Sequence, residues 1–266
     1  MDPAWGATVL AIVLASILLY LALRAGREIQ RLRERLETAS QDLQRLQKAF
    51  SLFAPEDVVD RIASSGVPTG GERKEVTALF ADLVGFTALS EAVDPSTLVR
   101  ILNGYFQLTS HAVIEHRGHV STFIGDGVLA LFGAHRPNPW QGDDAVHAAL
   151  ALRKALARYN LELEAEGLPP LSVGVGIHRG VGVAGVVGSD HLMEFAVVGR
   201  VVNLAARVQQ LTRTHEVDVL VTEDVQKTLD SRFVLRRLPA SELKGIAEPV
   251  VTFAVRGFGA QAAEES

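Results

Sequence analysis

Cysteine is absent from the 266 residues. This excludes disulfides, thiolate zinc sites and cysteine nucleophiles. A strong excess of one charge is also missing. The formal net charge is only -5, and no basic run stands in the globular part, so nucleic acid is not an expected partner. Charge is absent altogether from residues 4–23. The mildly positive mean hydropathy owes much to that stretch. The length suffices for one ordinary domain plus extras.

Twenty uncharged residues at about 1.5 Å rise match the roughly 30 Å hydrocarbon core of a bilayer. Only Asp2 precedes the run, and Arg24, Arg27, Arg31, Arg33 and Arg35 follow it. A secretory signal would begin with a basic segment. The pattern predicts a single-pass helix over 4–23 in the plasma (inner) membrane, with the following residues cytoplasmic. Trp5 and Tyr20 stand near its two ends, as interfacial aromatics do.

Ala22, Ala25, Ile29, Leu32, Leu36, Ala39, Leu43, Leu46, Phe50 and Phe53 are spaced alternately by three and four. That repeat predicts a left-handed parallel coiled coil over 24–53, holding two copies of the chain side by side. Pro55-Glu56-Asp57 opens a short helix. The turn-rich stretch from Ser64 to Gly71 closes a connector over 54–71. The globular domain is expected over 72–258, with a disordered tail over 259–266.

Within that domain, strands are expected at 76–83, 119–124, 128–132, 171–177, 181–187, 217–221, 233–238 and 250–255. Helices are expected at 95–116, 143–166, 201–211 and 223–229. This strand–helix–hairpin–helix–strand order predicts an α+β, ferredoxin-like fold, with helices on one face of a mainly antiparallel sheet.

The stretch from Phe80 to Thr87 carries the first chemistry. An apolar strand delivers Asp82, then a glycine turn and a helix start. A rigidly held carboxylate beside backbone N–H groups suits a hard cation and a phosphate. Asp126 sits in the hairpin turn Gly125-Asp126-Gly127. If that hairpin lies beside the first strand, the two carboxylates meet and call for a cation between them. Two Mg²⁺ ions on two carboxylates can activate an attacking oxygen and steady a leaving group. Asn203 and Arg207, four apart, share a helix face, where Arg can clamp a phosphate. Taken singly, each has an ordinary reading: a strand-end Asp, an Asp-Gly turn, a solvated Arg. His178 is read as ending a strand and packing.

Together the residues carry a resemblance. FADLVGFTALSE (80–91), FIGDGVLALFG (123–133), VGVGIHRGVGVAGVVG (173–188), VNLAAR (202–207) and LKGIAEPV (243–250) follow one another in an order similar to class III nucleotidyl cyclases. That family makes cyclic AMP or cyclic GMP from a nucleoside triphosphate. The resemblance implies that Asp82, Asp126 and the Leu83 carbonyl bind two Mg²⁺ or Mn²⁺ ions per active site. Gly85, Phe86 and Thr87 would give N–H groups to the triphosphate. Asn203 would orient the ribose, Arg207 would stabilise the transition state, and Lys244 is a weaker candidate for a terminal phosphate. It also implies sites shared between two catalytic domains, hence a homodimer.

The chain departs from the family where the purine is read. Thr122 and Ala196 occupy the two base-reading positions and match neither the adenine nor the guanine pair. Arg200 stands where an Asp is common, as either a structural substitute or a base contact. Val181 replaces a phosphate-contacting Arg of some relatives. ATP is the expected substrate because a guanine-reading Glu is missing. The alternatives are a guanylate or promiscuous cyclase, or an inactive nucleotide-binding regulatory dimer. No Gly-Gly-Asp/Glu-Glu-Phe turn supports a diguanylate synthase.

Overall fold

A computed structural model of the chain describes residues 24–46, 70–189, 192–246 and 248–259, with the backbone alone at 192 and 193. The chain divides into two units, Met1–Asp60 and Arg61–Ser266. In the first, residues 24–46 are helical and exposed throughout. Ile29, Leu32, Leu36, Leu43 and Leu46 of the heptad stripe are each more than half exposed. Among the described residues no helix is long and apolar enough to cross a membrane. The expected anchor over 4–23, the last heptad, nearly all of the connector and all of the tail after Gly259 lie outside them.

In the second unit the elements run in this order: β1 (Glu72–Leu83), α1 (Phe86–Ala92), α2 (Pro95–Glu115), β2 (His119–Ile124), β3 (Gly127–Phe132), α3 (Gln141–Ala165), β4 (Val173–Ser189), β5 (Leu192–Val198), α4 (Arg200–His215), β6 (Val219–Thr222), α5 (Glu223–Gln226), β7 (Phe233–Arg237) and β8 (Thr252–Phe258). The strands form one sheet, in the order β2-β3-β1-β4-β6-β8-β7, with β5 paired to β4. The β4–β6 pair is parallel and the others are antiparallel. The first four strands take the ferredoxin-like spatial order.

From Val76 to Ala81 the central strand β1 shows no polar alternation, because both its faces are covered there. Leu79, Ala81 and Leu83 pack with Ile101 and Tyr105 of α2 and with Val146 and Leu152 of α3. Val76 and Ala78 pack on the opposite face with Val201 and Ala205 of α4. Helices on a single face were the expectation, and α4 corrects it. The glycines of β4 explain why α4 fits there. A Cβ on Gly176 would overlap the Gln209 amide and come within 2.6 Å of the Ala205 carbonyl oxygen. Gly174 lies under Thr212 and Gln209 in the same way.

Those glycines do not make turns. The expected pair of strands at 171–177 and 181–187 is one 17-residue strand, whose register against β1 runs unbroken from Glu72↔Ala184 to Leu83↔Val173. His178 therefore lies within a strand, not at its end. It is buried, with Nδ1 2.9 Å from Thr222 Oγ1. β5, which the sequence reading left unassigned, returns along the far half of β4.

Candidate active site

β1 ends at Leu83, and Asp82 lies on the face that α4 covers, opposite Gly174 of β4. Immediately beyond, Gly85 adopts a left-handed conformation (φ 75°) and starts α1, placing Phe86 and Thr87 at that helix start. Gly has no Cβ to resist this turn. On the other side, the two-residue turn Gly125-Asp126 closes the β2–β3 hairpin, with Gly125 at φ 63°. β3 pairs directly with β1. A Cβ on Gly127 would stand 3.4 Å from Asp82 Oδ1. The hairpin is braced from outside by Phe123, whose ring centroid is 4.5 Å from that of Phe106 on α2.

The arrangement brings Asp82 and Asp126 together. Burial holds the Asp82 carboxyl above the usual carboxylate range, the Asp126 charge raises it further, and Arg213 opposes both. The two aspartates also help burial keep the Tyr105 phenol protonated beneath them. Two repelling carboxylates favour a cation between them. Among the described residues no group of three or more His, Cys, Asp or Glu side chains could hold a metal. A divalent ion here would rest on two carboxylates and a backbone carbonyl, with further oxygens from a bound phosphate.

The sequence reading missed Arg213, on the last turn of α4. Its Nη2 donates to Asp82 Oδ2 at 2.7 Å and to the Leu83 carbonyl at 3.2 Å. A signal for it exists. Ala205 and Gln209 face β4, and Arg213 continues that row at spacing four, along one helix face.

Asn203 and Arg207 share the other side of α4. Each is two residues from the sheet-facing row, about 200° around the helix. Asn203 is exposed, and Arg207 Nη1 donates to Gln210 Oε1 at 3.2 Å. Neither is brought to Asp82 within one chain. Thr122 lies on the edge strand β2, paired with Leu129 of β3, and Ala196 lies on β5, whose Phe195 packs on His135 beyond that hairpin. Arg200, at the start of α4, lines a 570 Å³ cavity with His178, Arg179 and Asp224, apart from the aspartate pair. Lys244 is exposed in the turn before Gly245.

Residues 70–257 match the adenylate and guanylate cyclase catalytic domain. An adenylate cyclase of Anabaena cylindrica is 33% identical over 232 residues, covering 83% of this chain and 45% of that protein. Adenylate cyclase 1 of Rhizobium meliloti is 32% identical over 211 residues, covering 78% and 32%. Among solved structures, the guanylyl cyclase Cya2 is 32% identical with a TM-score of 0.67, covering 72% of this chain and 96% of that one. The adenylyl cyclase CyaB of P. aeruginosa is 28% identical with a TM-score of 0.65, covering 70% and 95%. The chain belongs to the adenylate and guanylate cyclase catalytic domain family. It spans less than half the length of those two curated relatives.

Proposed function

We propose that this chain is an adenylate cyclase that converts ATP to cyclic AMP and pyrophosphate. The observation that carries the reading is the meeting of Asp82 and Asp126 beside the Leu83 carbonyl, an all-oxygen set of the kind Mg²⁺ or Mn²⁺ takes. Bound there, two such ions would supply charge neutralisation at the reacting phosphate. Asp82, Asp126 and the Leu83 carbonyl would hold them. Backbone N–H groups of Gly85, Phe86 and Thr87 meet the triphosphate. Asn203 orients the ribose, so that its 3′-oxygen forms a bond to the α-phosphorus as the bond to pyrophosphate breaks. Arg207 stabilises the charge that develops there. Positioning supplies much of the acceleration.

The active form is a homodimer. Asn203 and Arg207 face away from the aspartates of their own chain, and a second copy supplies them to the site. The exposed apolar stripe over 24–46 supports a parallel coiled coil that pairs the copies. The uncharged run over 4–23 anchors the chain in the plasma membrane, with the catalytic domain in the cytoplasm.

ATP is favoured by the adenylate cyclases among the relatives and by the absence of a guanine-reading Glu at position 122. The similarity to Cya2 favours a second reading, in which GTP is also cyclised. The full-length chain, given ATP and GTP separately with Mn²⁺, decides between them by the mass of the product. Cyclic AMP alone is expected. Cyclic GMP would establish the second reading, and no product from a folded dimer would refute both.

A further inference from the structure

Asp82 has two charged neighbours of opposite sign. Asp126 lies on one side, and Arg213 reaches it from α4. The Arg213 contact is specific in a way that a stray surface pair is not. One nitrogen, Nη2, serves both the Asp82 carboxylate and the Leu83 carbonyl, at 2.7 and 3.2 Å. The helix that carries it is fixed at this point, because Gln209 and Thr212 seat directly on Gly174 and Gly176. The side chain itself is half exposed. It can swing into solvent about its own torsions while α4 stays in place.

A guanidinium is always charged and only donates. It uses the same oxygen lone pairs that a divalent ion would use. Two cations crowded on Asp82 Oδ2 and the Leu83 carbonyl repel each other, so Arg213 in this position opposes a metal there. We infer that Arg213 sets the metal affinity of the acidic pair: it is a built-in cation that a divalent ion must displace, so that cyclisation begins only above a threshold metal concentration. This rests on the reading of Asp82 and Leu83 as metal ligands. It adds a residue on the same chain to the machinery of the reaction, on a different helix face from Asn203 and Arg207.

The test is direct titration of the full-length chain with Mn²⁺ alone, counting free Mn²⁺ by electron paramagnetic resonance. Circular dichroism confirms that each variant is folded. Arg213→Ala is expected to bind Mn²⁺ roughly fivefold more tightly than wild type, the scale of a half-exposed ion pair. Arg213→Gln, which keeps much of the stem and loses the charge, should behave alike. Arg213→Lys should lie between, since an ammonium keeps the charge without the planar fork. Unchanged or weaker binding in Arg213→Ala and Arg213→Gln overturns the inference, and so does undetectable binding in every protein. The metal reading is checked separately by adding Asp82→Ala to Arg213→Ala. Loss of the Mn²⁺ places the ion at Asp82. Retention means that the ion binds elsewhere, and the metal reading then fails along with the inference.

Discussion

Gly176 of β4 lies directly beneath Gln209 of α4. A Cβ at this position would overlap the Gln209 backbone nitrogen and stand 2.6 Å from the Gln209 Cα. The obstruction is backbone, so no rotamer change relieves it. Gly176→Ala must lift α4 or bend β4, at a cost of about 3 kcal/mol. For a domain of this size the melting temperature should fall by roughly 10 °C. Gly70→Ala, with nothing within 4 Å of the added carbon, is the control and should melt like wild type. Differential scanning fluorimetry measures both.

His178 should make stability depend on pH. Burial pushes its imidazole down from the usual 6.5 to about 4; Asp224 opposes this and Arg200 adds to it. The sign follows from the direction of the shift. Between pH 6.5 and 4 the unfolded chain binds a proton that the folded chain refuses. The stabilisation is therefore whole above 6.5 and drains away as pH falls toward 4, by roughly 3 kcal/mol in all. Urea unfolding at pH 7 and pH 5 should show the loss. His178→Gln should flatten that part of the profile.

Asp144 anchors the entry to the β2–β3 hairpin. Its buried carboxylate accepts from Arg117 Nε at 2.8 Å, from Arg117 Nη2 and from Asn138 Nδ2 at 2.7 Å. Arg117 itself is held at φ 59° just before β2. Asp144→Ala strands these donors and should destabilise by about 3 kcal/mol. Arg117→Gly should cost less, because glycine takes the left-handed backbone freely and Asp144 keeps Asn138. Paired urea titrations give the ranking.

Asp126→Asn should separate activity from stability. It removes a charge that repels Asp82, so the metal-free fold should be unchanged or up to ~1 kcal/mol more stable. Cyclic AMP formation should fall at least ~1000-fold, as expected when charge stabilisation is removed from an active site. Measuring thermal stability and product on one preparation tests both halves. A variant with full activity would refute the proposed site.

Leu36 and Leu43, exposed on the helical stripe over 24–46, should carry the dimer. A Leu36→Glu, Leu43→Glu double variant is expected to sediment as a monomer in detergent. Its activity should fall more than ~10-fold, because charges in a coiled-coil seam oppose pairing.

The elements with strong local signals were legible in the sequence. The apolar run of β1, the Asp-Gly turn at Asp126 and the long amphipathic patterns of α2 and α3 each announce themselves over a few turns or a single hairpin. What stayed hidden depends on distant partners. The glycines at 174, 176, 180 and 182 look like chain breaks, yet β4 continues through them because α4 needs the space above Gly174 and Gly176. β5 was missed although Gly188-Ser189-Asp190 before it is a turn signal, because the strand expected over 181–187 stops short of that turn and the next apolar run stays unassigned. Arg213 reads locally as a solvated residue at a helix end. Its meaning comes from Asp82, 131 residues earlier. Asn203 and Arg207 were recognised through their motif, but a single chain does not bring them to the aspartates.

The pairing of β1 with β4 also sets the order in which the protein matures on the ribosome. β1 is made early, but one of its two neighbours in the sheet begins at Val173, and the helix that covers its second face ends at His215. Until both have emerged, a strand apolar on two sides waits without its cover, the kind of non-local closure that slows folding and exposes chains to aggregation. The acidic end of that strand waits equally long for its cation. A nascent chain stalled before α4 therefore presents an apolar strand that ends in a carboxylate without its Arg213 partner.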